Sequence, residues 1–268
     1  MATLPKHARV VVVGQGGIVG ASVVHHLIEE GWDDIVGLEK SAIPTDIGST
    51  SHASDFCYMT SHDKLNVEIT NYSREFYAKR GNYIQTGGLE VARKGDDERM
   101  LELIRKVGSG KAFGTNAYMI SAAEAKEKFP LLEEDQIQGA LWDPDAGLVT
   151  PRSQKVAGDL VDEAVASGKL KAFAYTPATK LLVDDGEIKG VETPKGTITA
   201  DYVVLCVGIW GNLVSQTAGV KLPLMPLEHP LLFFGPWDHL EGTGKDIVYP
   251  LMRDQGNSAY VRDTGDPT

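Results

Sequence analysis

The stretch from Arg9 to Glu39 constrains this chain more than any other. Arg9 to Val13 is a short apolar, β-branched run, and the glycine-rich turn Gly14-Gln15-Gly16-Gly17-Ile18-Val19-Gly20 follows it. Ala21 to Glu30 has helical periodicity, with Val24, Leu27 and Ile28 on one face, and Gly31 stops it. Asp34 to Leu38 reads as a second strand ending at Glu39-Lys40. A strand, a glycine turn and a helix make a pyrophosphate site. Glycines let the turn close and the backbone approach phosphates, and the helix N-terminus offers unpaired N–H groups with partial positive charge. Glu39 stands about 20 residues on, where a carboxylate accepts hydrogen bonds from a ribose. An acid there argues against the 2′-phosphate of NADP. The turn is one residue longer than the usual G-x-G-x-x-G. Gly14, Gly16 and Gly20 are one working set, and a shifted set using Gly17 is the other.

A polar loop over 41–54 comes next. Periodicity predicts helices over 64–79 and 98–107. Ser121-Ala122-Ala123-Glu124 reads as a capping box opening a short helix that Pro130 ends. Thr150-Pro151 reads as a cap followed by proline at the first position of a helix that ends at Gly168. Between Leu170 and Leu205, Asp184-Asp185-Gly186 and Pro194-Lys195-Gly196 are turn signals separating short strands. Tyr202 to Cys206 has the continuous apolar character of a buried parallel strand, with Cys206 in the core. Trp210 begins a short helix, and Leu222 to Phe234 reads as strand again. There are no internal repeats and no linker, so two domains interleaved in sequence fit better than two in tandem.

The formal net charge of −11 argues against nucleic acid as a partner, since phosphate binding needs a clustered basic surface. Cys57 and Cys206 are isolated, and the seven histidines form no HExxH or HxH pattern, so no metal and no disulfide framework is expected. No stretch is long and apolar enough for a membrane span, and the first residues lack the apolar core of a signal peptide, so the expected location is the cytoplasm.

Gly48-Ser49-Thr50-Ser51-His52-Ala53 resembles the G-S-T-x-H-A motif of the dimethylglycine and sarcosine dehydrogenase family of D-amino-acid-oxidase-like flavoproteins. Gly87-Gly88-Leu89-Glu90-Val91-Ala92, Pro144-Asp145-Ala146-Gly147 and Cys206-Val207-Gly208-Ile209-Trp210-Gly211 also resemble that family. So does Pro223 to His229, similar to its P-L-x-P-x-x-H. The likeness spans essentially the whole chain. It implies FAD as cofactor, and an α/β fold in which a Rossmann-like FAD domain of the glutathione-reductase/D-amino-acid-oxidase type interleaves with an antiparallel-sheet substrate domain. The expected portions are 1–80 and 141–220 for the FAD domain, and 81–140 and 221–268 for the substrate domain.

Carried over position by position, the resemblance puts Ile18 and Val19 at the pyrophosphate turn, and Glu39 and Lys40 at the ribose and adenine end. Ser49, Thr50, Ser51 and His52 fall along the flavin, and Phe56 a little further on. Ala178 falls where backbone meets the adenine, in a stretch from Thr176 to Leu182 that reads as strand. In several relatives the motif's histidine is joined to the flavin 8α-carbon, a role that falls on His52. Relatives differ, so covalent and non-covalent FAD both stay open. A histidyl link withdraws electron density and favours accepting hydride.

The resemblance also assigns a catalytic pair. His229 matches a histidine at the substrate site, and Tyr260 a tyrosine facing the flavin. Groups of this kind hold an amine neutral and oriented while hydride leaves its N-methyl carbon for flavin N5. The resulting iminium then hydrolyses to formaldehyde. On the residues alone, a histidine between prolines is commonly a hydrogen-bonded core group and a tyrosine near a chain end a packing residue. The chain ends just past Tyr260, where the family continues with further sheet and, in long members, a folate-binding region. The expectation is therefore a truncated flavin domain, with a folate domain or electron acceptor supplied elsewhere. Three readings follow: oxidative demethylation of a small N-methyl amine such as dimethylglycine or sarcosine, a non-catalytic flavin-binding fragment or subunit, and an NAD-linked dehydrogenase.

Overall fold

The computed structural model describes residues 3–235 and 247–265. Along the chain the elements are β1 (His7–Val13), α1 (Ile18–Glu29), β2 (Ile35–Leu38), β3 (Phe56–Cys57), α2 (Lys64–Lys79), β4 (Tyr83–Ile84), β5 (Gly88–Arg93) and α3 (Asp97–Ala112). They continue with β6 (Tyr118–Ile120), α4 (Ala122–Lys128), β7 (Ile137–Asp143), β8 (Gly147–Val149), α5 (Ser153–Ala166), β9 (Leu170–Phe173), β10 (Lys180–Asp184), β11 (Glu187–Thr193) and β12 (Gly196–Leu205). Last come α6 (Gly211–Ser215), β13 (Leu251–Asp254) and β14 (Ala259–Val261).

The chain divides into two compact units, 1–53 with 151–231 and 54–150 with 232–268. Each unit is built from two separate stretches of the chain. The crossing points fall at 53/54, 150/151 and 231/232, where the sequence suggested 80/81, 140/141 and 220/221, so α2 belongs to the second unit.

The first unit is a six-stranded sheet ordered β10-β11-β12-β1-β2-β9. β12, β1, β2 and β9 run parallel, while β10 and β11 form an antiparallel edge. Period-two alternation splits β1 between the two faces. Val11 and Val13 pack with Val36, Leu38, Phe173, Val191 and Ile198, all buried. Gln15, just past β1, is wholly buried, and a Cβ on Gly37 would come within 2.5 Å of its Oε1, so Gly37 makes room for it. Neither polar atom of the Gln15 amide has a hydrogen-bond partner among the described residues.

The second unit holds a five-stranded sheet, β14-β13-β5-β7-β6, and a small three-stranded one, β3-β8-β4. Leu89 and Val91 of β5 pack with Ile120, Ala125, Phe129 and Ala140, whereas Ala92 packs with Leu103 and Val107 of α3 and with Leu141. Asp63 caps α2 and Asp96 caps α3, each through its carboxylate. Ser121 and Glu124 form the expected capping box on α4.

Four local expectations are corrected. First, α5 starts at Ser153, with Arg152 rather than Thr150 as its N-cap. Thr150 is committed elsewhere, its N–H donating to Asn82 O and its carbonyl accepting from Asn82 Nδ2. Second, Leu222 to Phe234 contains no strand. Pro223, Pro226 and Pro230 each remove an N–H that a ladder would need. Third, Cys206 is half-buried rather than core. Fourth, the strand expected over Thr176 to Leu182 begins only at Lys180.

Candidate functional site

In the first unit a cavity of about 460 Å³ opens at the C-terminal ends of β1, β2 and β12. Gly14, Gly17, Val19, Glu39, Lys40, Ser49, Thr50 and Ala178 line it, together with Cys206 and Trp210. This is where open parallel sheets place ligands.

The turn after β1 works because of its glycines. Gly14 has φ +84°, and a Cβ on it would lie 2.4 Å from Cys206 O. A Cβ on Gly20 would lie 2.3 Å from Gly14 O and 2.7 Å from Gln15 Cα. Both positions need glycine so that α1 can approach β1. A Cβ on Gly16 would meet the Glu39 side chain at 2.8 Å. Gly17 differs: its φ is −87°, its nearest neighbour would be Thr50 Oγ1 at 3.3 Å, and it is the N-cap of α1 with no side chain capping it. The first-turn N–H groups of a helix have no acceptor within it. The Ile18 N–H donates to Thr50 Oγ1 at 3.1 Å, and Val19 is largely exposed at the cavity wall.

Glu39 is buried at the end of β2. Its Oε2 accepts the Gly16 N–H at 3.1 Å, and its Oε1 accepts the Ser41 N–H at 3.2 Å and hydroxyl at 3.3 Å. A carboxylate offers about four lone-pair sites, so it keeps acceptor capacity toward the cavity. Phe173 O takes the Glu39 N–H, and Glu39 O takes the Thr176 N–H, which ties the stretch carrying Ala178 to β2 and brings Ala178 into the lining. Lys40 Nζ sits 3.2 Å from the centroid of the Trp210 ring. Partial burial lowers this ammonium below the ordinary lysine value, against the raising pull of Glu39. Trp210 is one of several lining residues that sequence reasoning missed as site residues. A cation–aromatic pair between positions so far apart leaves no local pattern, although the quoted Cys206 to Gly211 segment contained it.

The loop over 48–53 is held by backbone carbonyls. Gly48 has φ +81°, and its carbonyl accepts the Ser51 hydroxyl at 3.1 Å and lies 2.9 Å from His52 Nδ1. A carbonyl can only accept, so Nδ1 is the donor in this contact. His52 is exposed, and neither it nor Ser51 lines the cavity. Arg152 Nη2 donates to Ser51 O at 3.4 Å and Ala53 O at 3.1 Å, a tether with no sequence signature.

His229, also in this unit, is exposed on an irregular segment. Phe56 and Tyr260 belong to the second unit, with ring centroids 5.3 Å apart and edge to face. Arg253 stands directly opposite Tyr260 in the β13–β14 pair. Its guanidinium lies 5.7 Å from the Phe56 ring centroid and 5.2 Å from that of Tyr58. Among the described residues, no group of three or more His, Cys, Asp or Glu could hold a metal, and no helix is long and apolar enough to cross a membrane.

Fold and cavity together define an α/β protein with a dinucleotide cradle. The glycine turn, the start of α1, the buried acid lining the cavity and the cation beside it all fit a phosphate-bridged dinucleotide such as FAD. The profile of the FAD dependent oxidoreductase family matches residues 9–268, and the chain belongs to that family. FAD is therefore its cofactor, which sets aside the NAD-linked alternative. Over 98% of its length the chain is 32% identical to human mitochondrial sarcosine dehydrogenase, of which it covers 28%. It is 31% identical over 97% of its length to the mouse mitochondrial pyruvate dehydrogenase phosphatase regulatory subunit, covering 29% of that protein. The chain thus spans under a third of these curated relatives. Among solved structures, L-proline dehydrogenase from P. horikoshii superposes with a TM-score of 0.79 at 28% identity, across 97% of this chain and 68% of that one.

Proposed function

We propose that this chain is the flavin-binding portion of an amine oxidoreductase that oxidatively demethylates a small N-methyl amino acid such as dimethylglycine or sarcosine. The observation that carries the reading is the coupling of the Gly48–Ala53 loop to the glycine turn. Ser49 and Thr50 line the cavity, and Thr50 Oγ1 takes the Ile18 N–H at the start of α1. Bound FAD supplies the hydride acceptor, so that the N-methyl carbon loses hydride and the amine becomes an iminium, which water converts to formaldehyde and the demethylated amine.

The residues of this chain divide the remaining work. Gly14, Gly16, Gly17, Ile18, Val19 and Gly20 present backbone to the pyrophosphate, while Glu39, Lys40 and Ala178 hold the adenosine end. Ser49, Thr50, Ser51 and His52 run along the flavin, and Nε2 of His52 is the ring nitrogen that a covalent link would use, since Nδ1 is engaged by Gly48 O. Phe56 and Tyr260 present aromatic surface, and His229 and Tyr260 keep the amine neutral and oriented. A folate domain supplied elsewhere would take up the formaldehyde, and an electron acceptor supplied elsewhere would take the electrons of the reduced flavin.

The test is anaerobic addition of sarcosine, dimethylglycine and other N-methyl amines to the purified yellow protein. The expected result is bleaching near 450 nm, roughly the flavin maximum, with formaldehyde released in step. Bound flavin that none of these amines bleaches would overturn the reading. That outcome would favour the second reading, a non-catalytic flavin-binding subunit, which the likeness to a regulatory subunit supports.

A further inference from the structure

Leu222 and Leu224 line the cavity of the first unit, yet the segment that carries them joins no sheet. Pro223 and Pro226 have no N–H, so a strand ladder could not hold this segment in register. Its hydrogen bonds run to α6 instead. Buried Ser215 donates its hydroxyl to Val220 O at 2.9 Å, and its carbonyl accepts the Val220 N–H at 3.1 Å. Gly219 makes the turn between them at φ +76°. Three residues earlier on α6, Asn212 holds the stretch that follows. Its Oδ1 accepts the Leu222 N–H at 2.9 Å, and its Nδ2 donates to Leu224 O at 2.8 Å. The Leu224 N–H in turn donates to Leu222 O at 2.8 Å.

One carboxamide thus supplies both the donor and the acceptor that a neighbouring strand would have offered. Both leucine side chains come down over the backbone of Gly211, where a Cβ would lie 3.0 Å from Leu224 Cδ1 and 3.4 Å from Leu222 Cδ1. With Trp210 they form an apolar rim on the cavity, and Leu224 is 53% exposed there. An exposed apolar side chain contributes to affinity when a ligand covers it. It contributes more when it already stands where the ligand arrives, because less side-chain and backbone freedom is lost on binding.

We propose that Asn212 is a positioning residue of the cofactor site, holding Leu222 and Leu224 ready as an apolar cover for bound FAD. Asn212 does not itself line the cavity and acts through the two leucines. The inference rests on FAD as the cofactor and not on the amine proposed above as substrate.

The experiment is titration of FAD into the full apo chain, followed by flavin fluorescence and arranged as a double-mutant cycle. A His52→Ala parent keeps the cofactor exchangeable throughout. Asn212→Ala is made in that parent and in a Leu222→Ala/Leu224→Ala background. In the parent it is expected to weaken FAD binding about tenfold, as the two leucines lose their preorganised positions. In the background without the leucines the loss is expected to stay under about twofold, since nothing is left to position. A purely structural role would give the same loss in both. Asn212→Asp keeps the acceptor for the Leu222 N–H but not the donor to Leu224 O, and is expected to lose about threefold. It is the variant to read if Asn212→Ala does not fold, and the cycle cancels any direct effect of its charge. If the double-leucine background binds too weakly to measure, Leu224→Ala alone replaces it, and the loss from Asn212→Ala is expected to fall to about threefold. An FAD affinity unchanged by Asn212→Ala, an equal loss in both backgrounds, or a double-leucine variant that binds FAD as tightly as its parent overturns the inference. If FAD binding follows Asn212 while no N-methyl amine bleaches the flavin, the positioning role stands and the proposed activity falls. If the amines bleach it and Asn212→Ala binds FAD like its parent, the positioning role falls and the activity stands.

Discussion

Alanine at each glycine of the turn separates backbone that shapes the protein from backbone that meets the ligand. At Gly14 a side chain must adopt φ +84° and push into Cys206 O, 2.4 Å away. A left-handed conformation costs about 1–2 kcal/mol and overpacking against backbone about 1–3. Gly14→Ala is therefore expected to cost about 2–5 kcal/mol, a large share of the ~5–15 a domain commands. At Gly20 the clash is with Gly14 O and Gln15 Cα, but alanine returns about 1 kcal/mol of helix propensity, so its cost is smaller. At Gly17 φ is ordinary and the closest neighbour is a hydroxyl at 3.3 Å, so Gly17→Ala should change stability by no more than about 0.5 kcal/mol. Gly17 lines the cavity at the uncapped start of α1, however, so the added methyl should weaken FAD binding by about tenfold, or 1.4 kcal/mol. Urea denaturation followed by far-UV circular dichroism, with flavin fluorescence titration, measures both. The reasoning fails if Gly17→Ala lowers the midpoint as much as Gly14→Ala, or if Gly14→Ala leaves it unchanged.

Three further outcomes follow from buried polar groups. Gln15→Met keeps the volume and removes two orphaned polar atoms, so it should stabilise the chain by about 1–3 kcal/mol; a lower urea midpoint would mean the amide has partners. Lys106→Met leaves Glu90 charged in the interior and should cost about 3–5 kcal/mol, while adding Glu90→Gln should recover much of that, which a double-mutant cycle reads directly. Burial, assisted by Asp55, pushes the Cys57 thiol up to about 11. The folded thiol thus stays protonated where the unfolded one ionises, unfolding releases a proton, and stability is lost as pH rises from about 9 to 11. Cys57→Ala should flatten the pH dependence of the midpoint across that window.

What the sequence made legible was local. β1, the glycine turn, α1 and Glu39 follow one another with spacing set by chain geometry, and the hairpin turns at Asp185-Gly186 and Lys195-Gly196 declare themselves through residues that tolerate unusual φ. The cap of α4 depends on a side chain three residues away. The misses have non-local causes. Thr150 looks like a cap until Asn82 claims its backbone. The apolar run from Leu222 suggests a strand, yet its prolines cannot feed a ladder. Trp210 over Lys40 and Arg253 across from Tyr260 arise only once distant segments meet. Which glycine in the turn does which work was open in the sequence, because the answer lies in what a Cβ would strike.

The Arg152 tether has a consequence for how this protein can be cut and rejoined. Because one guanidinium holds the carbonyls of Ser51 and Ala53, the point where the chain leaves the first unit lies beside the point where it returns at Pro151. Residues 54–150 therefore leave and re-enter the nucleotide-binding scaffold at one doorway, while 232–268, whose β13 pairs with β5 of that segment, complete the second unit. A few flexible residues joining Ala53 to Pro151 would close that doorway with little loss of chain entropy. With 232–268 removed as well, the scaffold could then be made without the second unit, with the β1–α1–β2 cradle left in place.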